Sequence, residues 1–290
     1  MSRRLLGIAA DVLRSFGSAF GGKHLAIIGG AVPSLLVGDV PRGMAPHVGT
    51  ADLDFHLSLH LLDGETADYY QAIIDGLRSL NLAPDTVEGR ERKWRWVGTH
   101  RAVFLQVELL CPMRQRAGRP EAPAQGTPAE ANIGPSGEIT ALAVGFGYMV
   151  PDDTVKVERR IETSRGEVTY EFPVAGLTSW LCLKADAVMR RDKPKDAYDI
   201  VWILAALGPE EAARIVAASQ LLAGETASEV LKQLDRLVED QFLDTASVGP
   251  GSYADFLSGN PGDRERRFAM ETVRAFGREL RAAGVGLSTR

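Results

Sequence analysis

Two carboxylates one residue apart, Asp52 and Asp54, stand in the run Gly49-Thr50-Ala51-Asp52-Leu53-Asp54-Phe55. Side chains of a strand point to opposite faces in turn, so both acids share one face. Carboxylates set so close resist joint ionisation unless a cation relieves the conflict. Mg²⁺ does this with oxygen ligands and leaves room for substrate phosphates in its shell. Upstream, the apolar run Leu25-Ala26-Ile27-Ile28 ends in Gly29-Gly30. A double glycine entering a helix lets backbone N–H groups approach a phosphate. A third acid, Glu108, lies in Val103-Phe104-Leu105-Gln106-Val107-Glu108-Leu109-Leu110, where charge is otherwise absent. Val103, Leu105, Val107 and Leu109 take one face of that strand and Glu108 the other. An unpaired charge in such a strand is expensive, and a metal shared with Asp52 and Asp54 would answer for it. The chemistry these parts suit is metal-assisted transfer of a nucleotidyl group.

The elements that must hold these residues follow from periodicity. Leu5, Ile8, Ala9, Val12, Leu13 and Phe16 recur at helical spacing and predict a first helix ending near Gly21-Gly22. A buried strand is expected over His24 to Ile28, then a short helix with Pro33, Leu35 and Leu36, a Gly/Pro-rich loop over 38–49, and the acidic strand over 51–59. Glu65 to Leu80 reads as a helix. Lys93 to Val97 and Ala102 to Leu110 read as a hairpin, with Trp94 and Trp96 packed on one face and the intervening charges toward solvent. Residues 114–137 read as a loop insertion, followed by strands near 154–161 and 166–172. After Pro173 the pattern is helical, over Leu177 to Arg190, Lys195 to Leu207, Glu210 to Ala223, Ala227 to Phe242 and Arg264 to Ala283. The expected fold class is α/β (α+β), with a mixed-sheet domain over residues 1–175 and a helical domain over 176–290.

Composition narrows the setting. The chain has 290 residues, 45% of them hydrophobic and 24% charged, within the range of a globular protein with ample core. A net charge of −5 argues against a uniformly basic nucleic-acid binder, though not against a local basic groove. Cys111 and Cys182 both lie in apolar contexts, which points to buried thiols rather than a disulfide framework. No apolar run reaches the ~20 residues of a membrane span, and Asp11 and Arg14 interrupt the one stretch that resembles a signal peptide. A cytoplasmic protein is expected. His56 and His60 share strand parity with Asp54, but no Cys/His cluster accompanies them to suggest zinc.

Ile28-Gly29-Gly30, Asp52-Leu53-Asp54 and Glu108 together resemble the nucleotidyltransferase superfamily that includes DNA polymerase β. A second segment, Leu183-Lys184-Ala185-Asp186-Ala187-Val188-Met189-Arg190-Arg191-Asp192-Lys193-Pro194-Lys195-Asp196-Ala197-Tyr198-Asp199-Ile200, is similar to the helical signature of AbiEii-type toxins. Those are nucleotidyltransferase toxins of type IV toxin–antitoxin systems, with MenA-like toxins as relatives. The resemblance implies a nucleotidyltransferase-like mixed sheet and Mg²⁺, or Mn²⁺ in its place, on Asp52, Asp54 and Glu108. It further implies a triphosphate cradled by Gly29 and Gly30, with Ser34 one turn on, and a phosphate contact from Lys184. Asp196 would complete or orient the site, and Lys195 would add local positive charge. The implied substrates are an NTP and a tRNA acceptor, and the implied partner is a cognate antitoxin. Two other readings stay open. One is a glycosyltransferase that holds a metal–nucleotide-sugar on Asp-x-Asp. The other is a non-catalytic nucleotide-binding relative, since Gly30 and Ala31 stand where many members carry a hydroxyl residue and Val48 where many carry Arg.

Overall fold

The computed structural model describes residues 3–17, 25–49, 52–57, 67–112, 115–116, 119–120, 130–132, 137–163, 166–258 and 262–288. Its contacts divide the chain into two units, Met1–Leu35 with Val48–Ala175, and Leu36–His47 with Gly176–Arg290.

In the first unit, helix α1 (Arg3–Ser15) turns Ile8, Ala9, Val12 and Leu13 inward, and Phe16 just beyond it is equally buried. Strand β1 (Leu25–Ile28) is buried throughout and runs into a single 3₁₀ turn, Gly29–Ala31, and then α2 (Val32–Val37). The acidic strand β2 (Asp52–Leu57) follows, then α3 (Ala67–Ser79). The start of the expected helix at Glu65, the strand end beyond Leu57 and His60 lie outside the described residues. Strands β3 (Leu82–Val87), β4 (Arg90–His100) and β5 (Val103–Pro112) form an antiparallel meander. Arg101 and Ala102, both at positive φ, make the turn between β4 and β5.

Much of the expected insertion lies outside the described residues. Within it, β6 (Gln115–Arg116) pairs with β7 (Arg119–Pro120), and β8 (Glu130–Asn132) pairs with β9 (Thr140–Val144). A long hairpin, β10 (Thr154–Thr163) and β11 (Gly166–Ala175), completes the unit. Among the described residues the main sheet has nine strands in the order β10-β11-β1-β2-β5-β4-β3, with β9 also on β5 and β8 on β9. It is mixed, because β1 and β2 are antiparallel while β2 and β5 are parallel. Leu53 and Phe55 of β2 and Leu105, Val107 and Leu109 of β5 are all buried. The Phe55 ring meets Phe16 edge-on at 5.7 Å. Burying each such side chain contributes about 1.5–3 kcal/mol, and it leaves the opposite face of the same strands to Asp52, Asp54 and Glu108.

The second unit is helical. Its helices are α4 (Leu177–Arg190), α5 (Pro194–Leu207), α6 (Pro209–Ala217), α7 (Ala227–Asp235), α8 (Val248–Ser258) and α9 (Asp263–Ala282). Pro194 at the first turn of α5 fixes the break after α4, because its missing N–H costs nothing there. The expected helix over 210–223 ends at Ala217 and is followed by a 3₁₀ turn at Gln220–Leu222. The one over 227–242 passes into a π-helical turn at Arg236–Gln241. Both cysteines are buried free thiols. Among the described residues no helix is long and apolar enough to cross a membrane.

Candidate active site

The register of β2 and β5 sets the geometry of the three acids. Asp52 is level with Gln106, and Asp54 with Glu108. In-register neighbours on adjacent strands point to the same face, so the three acids occupy one face within two adjacent strands. Burial alternates accordingly: Asp52, Asp54, Gln106 and Glu108 are half-buried, and the residues between them are buried. β1 and β4 flank this pair, with Ile28 level with Asp54 and Arg95 level with Glu108.

Gly29 follows Ile28 at φ +73°. A Cβ there would fall 1.8 Å from Asp54 Oδ2 and 2.7 Å from its Cγ. Only glycine leaves that space to the carboxylate and accepts that φ without strain. Gly30 is buried in the 3₁₀ turn, and Ser34 is half-buried in α2.

Glu108 is engaged on its other side. Arg95 Nη2 lies 2.8 Å from Oε1, and Gln106 Nε2 donates to the same oxygen at 2.8 Å. The Arg95 guanidinium stands 4.6 Å from the centroid of the Trp94 ring and 3.8 Å from Asp85. Trp94 and Trp96 are buried as expected, but Arg95 between them does not simply face water. The strand pattern marked it only as a charge between two indoles.

Among the described residues, no three His, Cys, Asp or Glu side chains form a ready group for an ion. The donor set of the acid face is nonetheless all carboxylate oxygen, which is what Mg²⁺ takes. Such an ion binds through one or two carboxylates plus phosphates and water, so Asp52 and Asp54 above the glycine cradle fit it without a closed cage.

His56 continues the same strand face, 1% exposed, and its Nε2 has no hydrogen-bond partner among the described residues. A Cβ on Gly147 would lie 3.1 Å from that nitrogen. Burial drives its pKa down to about 4, so the ring is neutral at ordinary pH.

The second unit gathers the residues of the helical signature into a buried charge cluster. Lys184 of α4 bonds Asp196 Oδ1 at 2.6 Å and Asp199 Oδ2 at 2.7 Å. Asp196 and Asp199 lie three residues apart on α5 and therefore on one side of it. Lys195 Nζ reaches Asp199 Oδ1 at 2.7 Å, and Arg191 Nη2 lies 3.3 Å from Asp196 Oδ2. Burial would weaken the charge on Lys184, but the two aspartates outweigh it and raise its pKa. Burial likewise opposes ionisation of Asp199, yet Lys184, the His47 hydrogen bond and Lys195 hold its carboxyl far below the usual range. Lys184 thus neither snorkels to water nor stands bare; its ammonium is fixed by two carboxylates. Asp196 sits in the first turn of α5 without capping it.

Two members of the cluster make contacts that the sequence alone did not reveal. Asp199 binds three partners. His47, 152 positions away along the chain, has Nε2 2.9 Å from Asp199 Oδ1. Burial lowers the His47 pKa despite Asp199, so a neutral ring donating from Nε2 fits. The ring stacks on Tyr198 at 5.3 Å and meets Trp202 edge-on at 4.9 Å. Trp202 Nε1 donates to Ala45 O at 3.0 Å and holds the same segment. Nothing near His47 in the sequence signals this contact.

Comparison with known proteins gives one family. The family model described as nucleotidyl transferase AbiEii toxin, type IV TA system, matches residues 11–276. That span covers the glycine turn, the acidic strand, Glu108 and the whole charge cluster. No curated protein matches the chain.

Proposed function

Because the chain belongs to the AbiEii family of nucleotidyl transferase toxins of type IV toxin–antitoxin systems, we propose that it moves a nucleoside monophosphate from an NTP to an acceptor hydroxyl and releases pyrophosphate. The observation that carries this reading is the shared register of Asp54 and Glu108 on adjacent parallel strands, with Asp52 one step back on the same face and Gly29 beneath Asp54.

Asp52 and Asp54 would hold Mg²⁺, or Mn²⁺, with Glu108 as the third acid. When bound, the ion neutralises charge that grows on the phosphoryl oxygens. Gly29 and Gly30 would cradle a triphosphate at the start of the turn into α2, with Ser34 one turn on. In this reading Lys184 would supply a phosphate contact, as the family resemblance implies. Arg191 and Lys195 add positive charge with side chains 51% and 30% exposed, suited to an RNA backbone. The acceptor in this reading is tRNA, and the partner is a cognate antitoxin.

Incubation with each labelled NTP and total tRNA, with and without Mg²⁺, tests the proposal. Label should enter RNA only with the cation and should vanish in Asp52→Ala. Nucleotide binding without transfer would favour a non-catalytic relative, and hydrolysis of sugar nucleotides a glycosyltransferase.

A further inference from the structure

We propose that Arg95 is the counter-ion that Glu108 gives up when a divalent cation and a nucleotide enter, so that engagement of the third acid is an exchange against a guanidinium already in place. The proposal rests on the acid face being the metal–nucleotide site.

Three carboxylates on one face repel one another. Arg95 offsets one of them, level with Glu108 and 2.8 Å from its Oε1. Asp54 meanwhile lies over Gly29, at the β1 side of its strand. The two acids share a register position but are drawn toward opposite neighbours. For Glu108 to meet an ion beside Asp54, it must loosen its hold on Arg95.

The guanidinium is built to change partners. It rests against the Trp94 ring, which leaves its edge free for hydrogen bonding. Asp85, at 3.8 Å, is a looser second anchor. Its Nε is buried without a hydrogen-bond partner among the described residues. A buried donor left unpaired is costly, and arginine's planar fork of N–H groups matches phosphate oxygens two at a time. Released from Glu108, Arg95 has donors ready for a phosphate of the nucleotide. One residue therefore opposes the cation while the site is empty and supports the nucleotide once it fills.

The test uses Mn²⁺ as probe on the full chain, with free Mn²⁺ followed by electron paramagnetic resonance and folding checked by thermal melting. Without nucleotide, Arg95→Met should tighten Mn²⁺ binding about tenfold, the lower end of what a hydrogen bond to a charged group contributes. The same variant should raise the KM for NTP at saturating metal. Arg95→Lys keeps the charge and should bind Mn²⁺ as the unaltered chain does. A merely structural arginine would not tighten the metal when removed. Unchanged or weakened Mn²⁺ binding in Arg95→Met, with Asp52→Asn still abolishing it, overturns the exchange and leaves the site standing. Mn²⁺ binding that Asp52→Asn does not affect overturns the site itself and the exchange with it. Should Arg95→Met fail to fold, Arg95→Gln carries the same prediction.

Discussion

Asp54 and Glu108 stand level on adjacent parallel strands, yet their carboxylates are held from opposite sides, Asp54 against Gly29 and Glu108 against Arg95. The face is therefore set by the register of the two strands, while the side chains on it are held apart.

Gly29 tests the near side of that arrangement. Gly29→Ala places a methyl 1.8 Å from Asp54 Oδ2, at a φ of +73°. The left-handed backbone alone costs about 1–2 kcal/mol for an L side chain, and the carboxylate must move. Nucleotidyl transfer should fall at least a hundredfold, while the melting temperature drops only as far as that strain requires. A variant with undiminished transfer would show that Asp54 does not need its place above the glycine.

The acid face was legible because alternation is a local signal. Leu53 and Phe55 on one side of β2 force Asp52 and Asp54 to the other, and the same holds for Val107 and Leu109 about Glu108. The pairing of β2 with β5 was an inference from chemistry, since nothing local specifies which strands meet. Strand β3 was missed because Pro84 and Asp85 discourage strands; it survives beside β4, with a break in register between those two residues. Helix α8 was missed because Gly249, Pro250 and Gly251 open it, and packing against α5 and α9 overrides their propensity.

The charge cluster shows the other limit. Lys195, Asp196 and Asp199 are neighbours on one helix, so their spacing could be read. His47 could not, because its partner lies 152 positions away. Arg95 was hidden differently, since an exposed strand charge and a counter-ion look alike until the adjacent strand is known.

His56 should make folding stability depend on pH in a defined window. The unfolded residue takes up a proton near its ordinary value of 6.5, and the folded one only near about 4. Between these values the unfolded chain binds more protons, so stability falls as pH drops from 6.5 to about 4 and then levels with respect to this group. The loss is on the order of 3 kcal/mol. Urea unfolding in metal-free buffer at pH 7, 5 and 4 should show it, and His56→Leu should flatten the profile across that window.

His47→Phe keeps a ring against Tyr198 and Trp202 but removes the donor to Asp199. A hydrogen bond to a charged group contributes about 1.5–3 kcal/mol, and unfolding in urea should record a loss of that size. A smaller loss in His47→Asn, which restores a donor without the ring, would assign the effect to the bond rather than to stacking. Equal losses would assign it to the ring.

Lys184→Met removes the cation that two buried carboxylates share. Breaking a buried pair from one side leaves uncompensated charge and costs about 3–5 kcal/mol, so the variant should unfold at markedly lower urea at pH 7. The pH dependence gives the sharper check. The folded pKa of Asp199 lies below its unfolded value, so its contribution is present above pH 3.8 and is lost as pH falls toward the folded pKa. Without Lys184, the desolvation that Asp199 already suffers acts with less opposition, and its carboxyl should accept a proton at higher pH. Acidification toward pH 4 then relieves the variant, while the Asp199 contribution of the unaltered chain is still intact, and the stability gap between them should narrow from pH 7 to pH 4. A gap that stays constant over that range would mean that Lys184 stabilises α4 and α5 through packing of its stem, with its charge making no net contribution.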